Sequence, residues 1–300
     1  MKYAQVVEAL LIAGTEIEAC VDGKTPLMVA AESGDLATAR ILLDREAHKE
    51  GKGDKERRAL HLAAANGHSA TVGLLIDRGA EKEAEDDKEQ TAMHLAAANG
   101  HSATVELLID RGAEKEANDD KEQTAMHLAA ANGHSATVGL LIDRGAEKEA
   151  KNERKQTAMH VAAANGHNPV IELLVHRGAN KRAEDAFGWQ ALHTAAWNGQ
   201  KATIEILVRS FGANKEEPDG CGWTALHVAA INGCSPTCRW LIEQLGVDKE
   251  AKERGAGWTA LHFVAAMGLE EAAEMLIKTL KVDRYARTRR GETALDLVQK

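Results

Sequence analysis

The chain has 300 residues, of which 44% are hydrophobic and 28% are charged, and its formal net charge is −9. This composition excludes a fully disordered chain. Aromatic residues make up only 3%, so the core must be built from small aliphatic side chains in closely packed helices. The acidic balance disfavours nucleic acid and anionic membranes as partners, because both attract a basic surface. The sequence contains no run of about 18 apolar residues and therefore predicts no membrane-spanning helix.

The first residues, MKYAQVVEALLIAG, contain an apolar stretch of the kind found in signal peptides. Glu8 interrupts this stretch and a single lysine precedes it, so the match to a signal peptide is poor. The residues from Val6, VVEALLIAGTEIEA, align instead with TVELLIDRGAEKEA from Thr104. The start of the chain therefore corresponds to the second half of a unit that recurs later.

A unit of 33 to 35 residues recurs along the whole chain. The copies that start at Thr91 and Thr124 are identical at 27 of 33 positions. Further copies start at Thr25, Arg58, Thr157, Gln190, Thr224, Thr259 and Thr293. A period of this length indicates stacked modules, each of which buries its apolar face against its neighbours.

These copies predict a single domain over residues 1–300. It comprises a partial repeat at 1–21, eight full repeats over 22–290 and a second partial repeat at 291–300. Terminal repeats normally carry polar caps, whereas both partial repeats leave apolar residues without a partner helix. These uncovered residues favour the alternative interpretation, in which the chain is a spacer segment of a longer array.

A single repeat can be interpreted from Thr91 onwards. Thr91 is placed to cap a short alanine-rich helix over 92–99, which Gly100 ends in a left-handed conformation. Ser102 is placed to cap a second helix, whose apolar residues recur at helical spacing until Gly112. The segment that follows, GAEKEANDDKEQ, is too polar for a core and predicts a turn or an extended finger.

The residues T-A-M-H-L-A-A-A-N-G-H, followed by L-L-I-D-R-G-A, resemble the ankyrin repeat, whose signature is T-P-L-H-x-A-A-x-x-G-H. The resemblance covers essentially the whole chain. It implies an all-α solenoid of helix-turn-helix modules with projecting fingers that are β-hairpins or loops. It also implies a non-catalytic protein that binds other proteins, although the fold does not identify the partner.

The finger turns depart from this family pattern. A turn glycine is present in five repeats, as Gly23, Gly188, Gly222, Gly257 and Gly291. The same position holds Glu56, Glu89, Glu122 and Lys155 in the others. Because the left-handed conformation costs a non-glycine residue about 1 kcal/mol or more, we expect these fingers to be looser or differently turned.

Histidines recur in two positions of the repeat. The fourth position holds His61, His94, His127, His160, His193, His227 and His262, and the Gly-His turn holds His68, His101, His134 and His167. Because each set contributes one histidine per module, neighbouring rings are not expected to surround one ion. We predict that the fourth-position ring forms hydrogen bonds near its own helix start and with the next repeat. A metal or catalytic role is the alternative.

The four cysteines are too few for a disulfide framework and favour a reducing compartment, the cytoplasm or alternatively the nucleus. Cys234 and Cys238 are four residues apart, but one replaces the turn histidine and the other a core valine. Their positions in the repeat therefore explain them without zinc. No motif for a catalytic nucleophile, a phosphate-binding loop, a zinc protease or a dinucleotide is present. We predict no enzymatic activity, no cofactor, no metal site and no small-molecule substrate.

The fingers of the central repeats carry many charges. A secondary, acidic finger strip is predicted at Asp87, Lys88, Gln90, Asp120, Lys121 and Gln123. Such a strip can attract a basic partner in a salt-sensitive way. The alternative is a solvated edge that keeps the array soluble.

All five tryptophans and all three phenylalanines lie after residue 186. Three tryptophans come one residue before a repeat begins, at predicted finger tips, and Trp197 replaces the alanine equivalent to Ala98. The resemblance implies that fingers and first helices line a concave face that contacts ligands, and tryptophan is frequent in interface hot spots. The predicted partner-binding residues are Phe187, Trp189, Trp197, Cys221, Trp223, Ile231, Trp258 and Met267. The alternative is that each finger ring only covers its own finger.

The sequence therefore predicts a non-catalytic scaffold or adaptor that binds a partner protein through the concave face of its C-terminal repeats. A structural spacer within a longer ankyrin array is a second interpretation. An ankyrin-type effector that binds host proteins is a third, for which no residue provides support. Neither nucleic-acid binding nor membrane insertion is expected.

Overall fold

The computed structural model describes residues 2–298, and every regular element in that range is helical. Met1, Gln299 and Lys300, which belong to the predicted partial repeats, lie outside the described residues. The chain divides into two compact units, residues 1–153 and 154–300, which we call unit 1 and unit 2. The predicted pairs of short helices are confirmed in both.

Unit 1 contains one unpaired helix followed by four helix pairs. These helices are α1 (Lys2–Ile12), α2 (Pro26–Ser33), α3 (Leu36–Asp44), α4 (Ala59–Ala65), α5 (Ser69–Asp77), α6 (Ala92–Ala98), α7 (Ser102–Asp110), α8 (Ala125–Ala131) and α9 (Ser135–Asp143). A short 3-10 turn, Asp54–Glu56, lies in the finger before α4.

Unit 2 contains four helix pairs followed by one unpaired helix. These helices are α10 (Ala158–Asn165), α11 (Asn168–His176), α12 (Ala191–Trp197), α13 (Lys201–Glu205), α14 (Ala225–Ile231), α15 (Ser235–Leu245), α16 (Ala260–Ala266), α17 (Glu270–Glu274) and α18 (Ala294–Val298). Two π-helical turns, Ile206–Ser210 and Met275–Thr279, continue α13 and α17.

The core of each unit lies between stacked first helices and stacked second helices. In unit 1, α6 packs between α4 and α8, and α7 packs between α5 and α9. Ala96 and Ala97 on α6 and Val105 and Leu108 on α7 are all fully buried. Alanine on the first helices allows close approach, and each fully buried leucine contributes about 1.5–3 kcal/mol. The aliphatic core expected from the composition is therefore present.

The first helices begin at the predicted positions, which hold threonine except at Arg58 and Gln190. The Thr25 hydroxyl accepts from Met28 N at 3.3 Å as expected, but the cap at Thr91 is built differently. The backbone N–H of Thr91 donates to Nδ1 of His94 at 3.1 Å, and the Thr91 hydroxyl lies 3.0 Å from the same nitrogen. The second helix begins one residue from the prediction, because His101 rather than Ser102 is its N-cap. The Ser102 hydroxyl instead contacts Oγ1 of Thr137 in the next repeat at 2.9 Å.

The fingers are loops held by buried acceptors. Oδ1 of Asp119 accepts hydrogen bonds from the backbone N–H groups of Lys121 and Gln123 at 3.0 and 2.8 Å. Neighbouring fingers are joined by a backbone hydrogen bond, for example from Asp120 N to Lys88 O at 3.0 Å. Among residues 2–298 the β-type pairing is confined to one isolated bridge, so these fingers are loops rather than β-hairpins.

The expectation that glycine-free fingers are differently turned is wrong for the fingers of Glu89, Glu122 and Lys155. The finger of Glu56 does differ, because Lys55 also has a positive φ, 56°, within the 3-10 turn. Glu56, Glu89, Glu122 and Lys155 have φ between 55° and 57°. Gly188, at the same position of unit 2, has φ of 75°. The stacking of each finger on the next fixes one turn, so the non-glycine residues adopt the left-handed conformation despite its cost.

The Gly-His turn holds each repeat to the preceding one. Nε2 of His101 contacts the carbonyl of Ala65 at 3.0 Å, and the same bond recurs for His68 and His134. In the repeat that starts at Gln190 the turn residue is Gln200, whose amide donates to Ala164 O at 3.2 Å. We call this contact the turn clamp.

The turn clamp disappears in the last two repeats of unit 2. Cys234 directs its thiol to Thr237 in its own helix at 3.1 Å, and Leu269 has no polar group in its side chain. The carbonyl of Trp197 is the acceptor that a turn histidine would contact at the position of Cys234. The Asn232 side chain donates to this carbonyl instead, at 2.7 Å. In the repeats with a turn clamp the corresponding asparagine, such as Asn99, bonds within its own helix.

The longer repeats of unit 2 carry one extra residue after the second helix. In two of them the extra residue is absorbed by the π-helical turns that follow α13 and α17. In the third, α15 is extended to 11 residues and ends at Gly246 in a left-handed conformation. A π-helical turn closes its hydrogen bonds over five residues instead of four and so accommodates one extra residue.

Candidate partner-binding surface

Three of the predicted rings form one cluster in unit 2, which we call the Trp189 cluster. Phe187 and Trp189 lie on the finger before α12, and Trp197 is the last residue of that helix. The ring centroids of Phe187 and Trp189 are 5.7 Å apart, and those of Trp189 and Trp197 are 5.3 Å apart. These spacings are those of favourable aromatic pairs.

The finger geometry explains why these rings meet. Oδ1 of the buried Asp185 accepts from the backbone N–H groups of Phe187 and Trp189 at 2.8 and 3.0 Å. The turn therefore points two rings along the finger towards the end of α12. Phe187 remains 64% exposed, whereas Trp189 and Trp197 are half-buried.

Trp189 also has a structural contact that the sequence did not predict. Its indole N–H donates to Oδ2 of Asp219 on the next finger at 2.9 Å, and Asp219 is buried. Arg57 occupies the same position in unit 1 and contacts Asp86 at 3.1 Å. Trp189 therefore joins two fingers with its nitrogen and offers its ring to the surface.

A second group of rings, the Trp258 cluster, consists of Trp223, Trp258 and Phe263. The centroid of Phe263 lies 4.9 Å from that of Trp223 and 5.2 Å from that of Trp258. Phe263 is buried on α16 and was not among the predicted residues. Phe263 occupies the position that Leu95 has on α6. The aromatic ring in place of this leucine is the sequence feature that could have identified Phe263 as part of the cluster.

The remaining predicted residues lie around these clusters, and no ring contact joins them to either. Cys221 is exposed on the finger beside Trp223, and Ile231 is half-buried at the end of α14. Met267 is exposed and caps the end of α16.

The predicted acidic finger strip lies in unit 1. Its exposed members are Asp87, Lys88, Asp120 and Lys121. Gln90 and Gln123 are half-buried. The Gln90 amide donates to Oδ2 of Asp119 at 3.4 Å, so this residue joins fingers in the way that Trp189 does. The two aspartates and two lysines cancel in formal charge, so the acidic excess of these finger tips comes from the adjacent exposed Glu89 and Glu122.

The fourth-position histidines form the hydrogen bonds predicted for a structural role. In addition to the bond from Thr91, Nε2 of His94 lies 2.9 Å from Ala117 O and 3.0 Å from Gln123 O. These contacts hold a neutral ring that accepts at Nδ1 and donates at Nε2. Burial lowers the pKa of His94 below its ordinary value of 6.5. Burial lowers the pKa in the same way for His61, His193, His227 and His262.

The cysteines and other candidate ligands show no metal geometry in the described part of the chain. No group of three or more histidine, cysteine or acidic side chains there is arranged to hold an ion. Cys238 is buried, and burial raises the pKa of its thiol to about 12.

A family model for ankyrin repeats (three copies) matches residues 2–86, 60–152, 145–219 and 211–287. The chain belongs to the ankyrin-repeat family. Ankyrin repeats are generally protein-interaction modules, and the family is typically non-catalytic. A search of curated proteins finds no match to this ankyrin-repeat chain. Within residues 2–298, none of its helices has both the length and the apolar character needed to cross a bilayer.

Proposed function

We propose that this ankyrin-repeat chain is a non-catalytic adaptor that binds a partner protein through the aromatic surface of unit 2. The observation that supports this most directly is the Trp189 cluster, in which the exposed Phe187 lies against Trp189 and the half-buried Trp189 lies against Trp197. One exposed ring next to two half-buried rings forms an apolar surface that a partner can cover.

The cluster also has the rigidity expected of a binding hot spot. Asp185 fixes the backbone of the finger, and Asp219 fixes the indole of Trp189. A side chain that is already held loses little conformational entropy when a partner binds. Hot spots favour tryptophan at the centre, surrounded by contacts of lesser energy. We assign the centre to Trp197 and Trp189 and the surrounding contacts to Cys221, Ile231 and Met267.

The Trp258 cluster is proposed to extend the same surface. Phe263 packs between the rings of Trp223 and Trp258 and sets their positions. The acidic finger strip of unit 1 is proposed as a secondary contact for a basic region of the partner. Its contribution should decrease as salt is added, because exposed charges are screened within about 10 Å at 0.1 M. We propose the cytoplasm as the site of action, with the nucleus as the alternative.

The test is an affinity capture with the chain as bait and quantitative mass spectrometry as the readout. Phe187→Ala removes an exposed ring and should leave folding intact. Phe187→Ala and Trp197→Ala should each reduce capture of the same partner about tenfold or more, as expected when a hot-spot ring is truncated. Val29→Ala, which removes an exposed apolar side chain from unit 1, is the matched control and should leave capture unchanged.

Equal capture by all variants would contradict the proposed surface. It would favour the spacer interpretation, for which the near-identical repeats from Arg58 to Gln156 provide support. These repeats expose the same short side chains in each module, and such a uniform surface has few distinctive contacts for a specific partner. Under that interpretation the chain sets a distance between other parts, and no variant of the aromatic surface affects its role.

A further inference from the structure

Helix α1 corresponds to the second helix of a repeat, but it packs against fewer neighbours than the second helix of a complete repeat does. It aligns with α7, which packs against the first helix of its own repeat, α6, and the preceding second helix, α5. Helix α1 packs on α3. Leu10 is 50% exposed, whereas its equivalent Leu108 is 0% exposed. The face of α1 that carries Val6 and Leu10 is therefore uncovered.

Helix α18 shows the converse situation: it aligns with α6 and therefore corresponds to the first helix of a repeat. Between α16, α17 with its π-turn, and α18 lies an open apolar groove of about 680 Å³. Its walls include Val264, Leu269, Ile277 and Leu295. Leu295 is 66% exposed, whereas its equivalent Met93 is 2% exposed. In the regular repeats a second helix packs on the equivalents of α17 and α18, as α7 packs on α5 and α6, so the groove matches the position of such a helix.

The charges beside the two surfaces are complementary. Residues 281–290, the finger before α18, contain five basic residues and one acidic residue. Residues 8–22, from α1 into its finger, contain four acidic residues and no basic residue. Consecutive fingers in the array contact each other directly, as in the ion pair of Arg57 with Asp86. A helix α1 placed in the groove would bring the acidic finger beside the basic one.

Arg284 provides a specific contact at the rim of the groove. Its equivalent Lys115 donates from Nζ to the carbonyl of Arg144, at the end of the next second helix, at 2.7 Å. The same contact recurs from Lys249 to Leu280 O at 2.8 Å. Arg284 lines the groove, and the carbonyls equivalent to these acceptors lie at the end of α1, near Ala13.

We propose that α1 of one copy of this chain binds in the groove beside α18 of a second copy. The two half-repeats then form one complete repeat between molecules. The contact is heterologous, because the two copies contribute different surfaces. Leu10 and Val6 cover Leu295 and its neighbours, Arg284 donates to the carbonyls at the end of α1, and the acidic and basic fingers lie side by side.

Sedimentation velocity of the full chain over a series of concentrations tests this contact. The weight-average mass should rise with concentration above that of a monomer. Leu10→Asp inactivates the α1 surface and Leu295→Asp inactivates the groove, and each variant alone should remain monomeric. A 1:1 mixture of the two variants should form a dimer and nothing larger, since one functional surface of each kind remains.

The mixture distinguishes this contact from a symmetric one. If two α1 surfaces bound each other, Leu295→Asp alone would still self-associate, and that result would overturn the proposal. A wild-type chain that stays monomeric at every concentration would overturn it too. Val29→Asp places the same charge at a residue that is also 50% exposed and should associate like the wild type. Circular dichroism checks that all variants are folded, and added salt should weaken the association.

Discussion

Replacing Glu89 and Glu122 by glycine should stabilise the protein. Both residues have positive φ, 57° and 56°, and both are exposed. The left-handed conformation costs a residue with a Cβ about 1–2 kcal/mol. Glycine removes this strain but raises the entropy of the unfolded chain, which costs about 0.4–1 kcal/mol. The net expectation is a gain of about 0.5–1 kcal/mol at each site.

The reverse change at the equivalent position of unit 2 should be more damaging. Gly188 has φ of 75°, and a Cβ added there would lie 2.6 Å from the backbone nitrogen of Gly220. A neighbouring backbone atom cannot move aside as a flexible side chain can. Gly188→Ala should therefore combine left-handed strain with a steric overlap and destabilise by at least about 2 kcal/mol.

Urea unfolding followed by far-ultraviolet circular dichroism measures these differences. Glu85→Gly is the matched control, because Glu85 lies in the same finger without positive φ. This control should destabilise slightly, through the entropy of the unfolded chain alone. If Glu89→Gly and Glu122→Gly lower the free energy of unfolding as much as Glu85→Gly does, the finger turns are unstrained and the reasoning is refuted.

Three further predictions concern the electrostatics and chemistry of the buried groups. Burial lowers the pKa of His94 and the four similar histidines, so below about pH 6.5 the unfolded chain binds more protons than the folded chain. Stability should therefore be complete above about pH 7 and fall with decreasing pH, by up to about 1.4 kcal/mol per pH unit for each histidine, as measured by urea unfolding across pH. Trp189→Phe keeps a ring but leaves Oδ2 of Asp219 without its donor, and should cost about 1–3 kcal/mol of unfolding free energy while partner capture persists. Cys238 should resist a thiol reagent in the folded protein while Cys221 reacts, and equal reaction rates would contradict the burial that raises its pKa to about 12.

The repeat pattern was sufficient to predict the helices, because each one needs only local spacing and a neighbour of the same kind. The caps were less predictable. Ser102 is a residue type that commonly caps helices, yet its hydroxyl forms a hydrogen bond with the hydroxyl of Thr137 in the next repeat. The left-handed turn at Glu89 contradicts local preference because the stacking of adjacent fingers fixes it. Local propensity failed where contacts between repeats decide the conformation.

The aromatic surface was predictable as a set of positions but not as a set of contacts. Trp189 and Trp197 are eight residues apart in the chain, and only the return of the finger onto its helix brings their rings to 5.3 Å. Phe263 was missed because a phenylalanine at a leucine position resembles ordinary core packing. The bond from Trp189 to Asp219 spans two repeats, and the sequence alone offers no distance between them.

The loss of the turn clamp has a consequence for how unit 2 opens. In a stacked array the free energy of each interface couples one module to the next, and modules with weak coupling separate first. Gln200 retains a turn clamp across its interface. Leu269 cannot form one, so its interface keeps finger contacts such as Lys249 Nζ to Leu280 O but has no hydrogen bond from the turn residue. Opening of unit 2 should therefore begin with α16 and α17 and proceed towards α12, so that the Trp258 cluster is released before the Trp189 cluster.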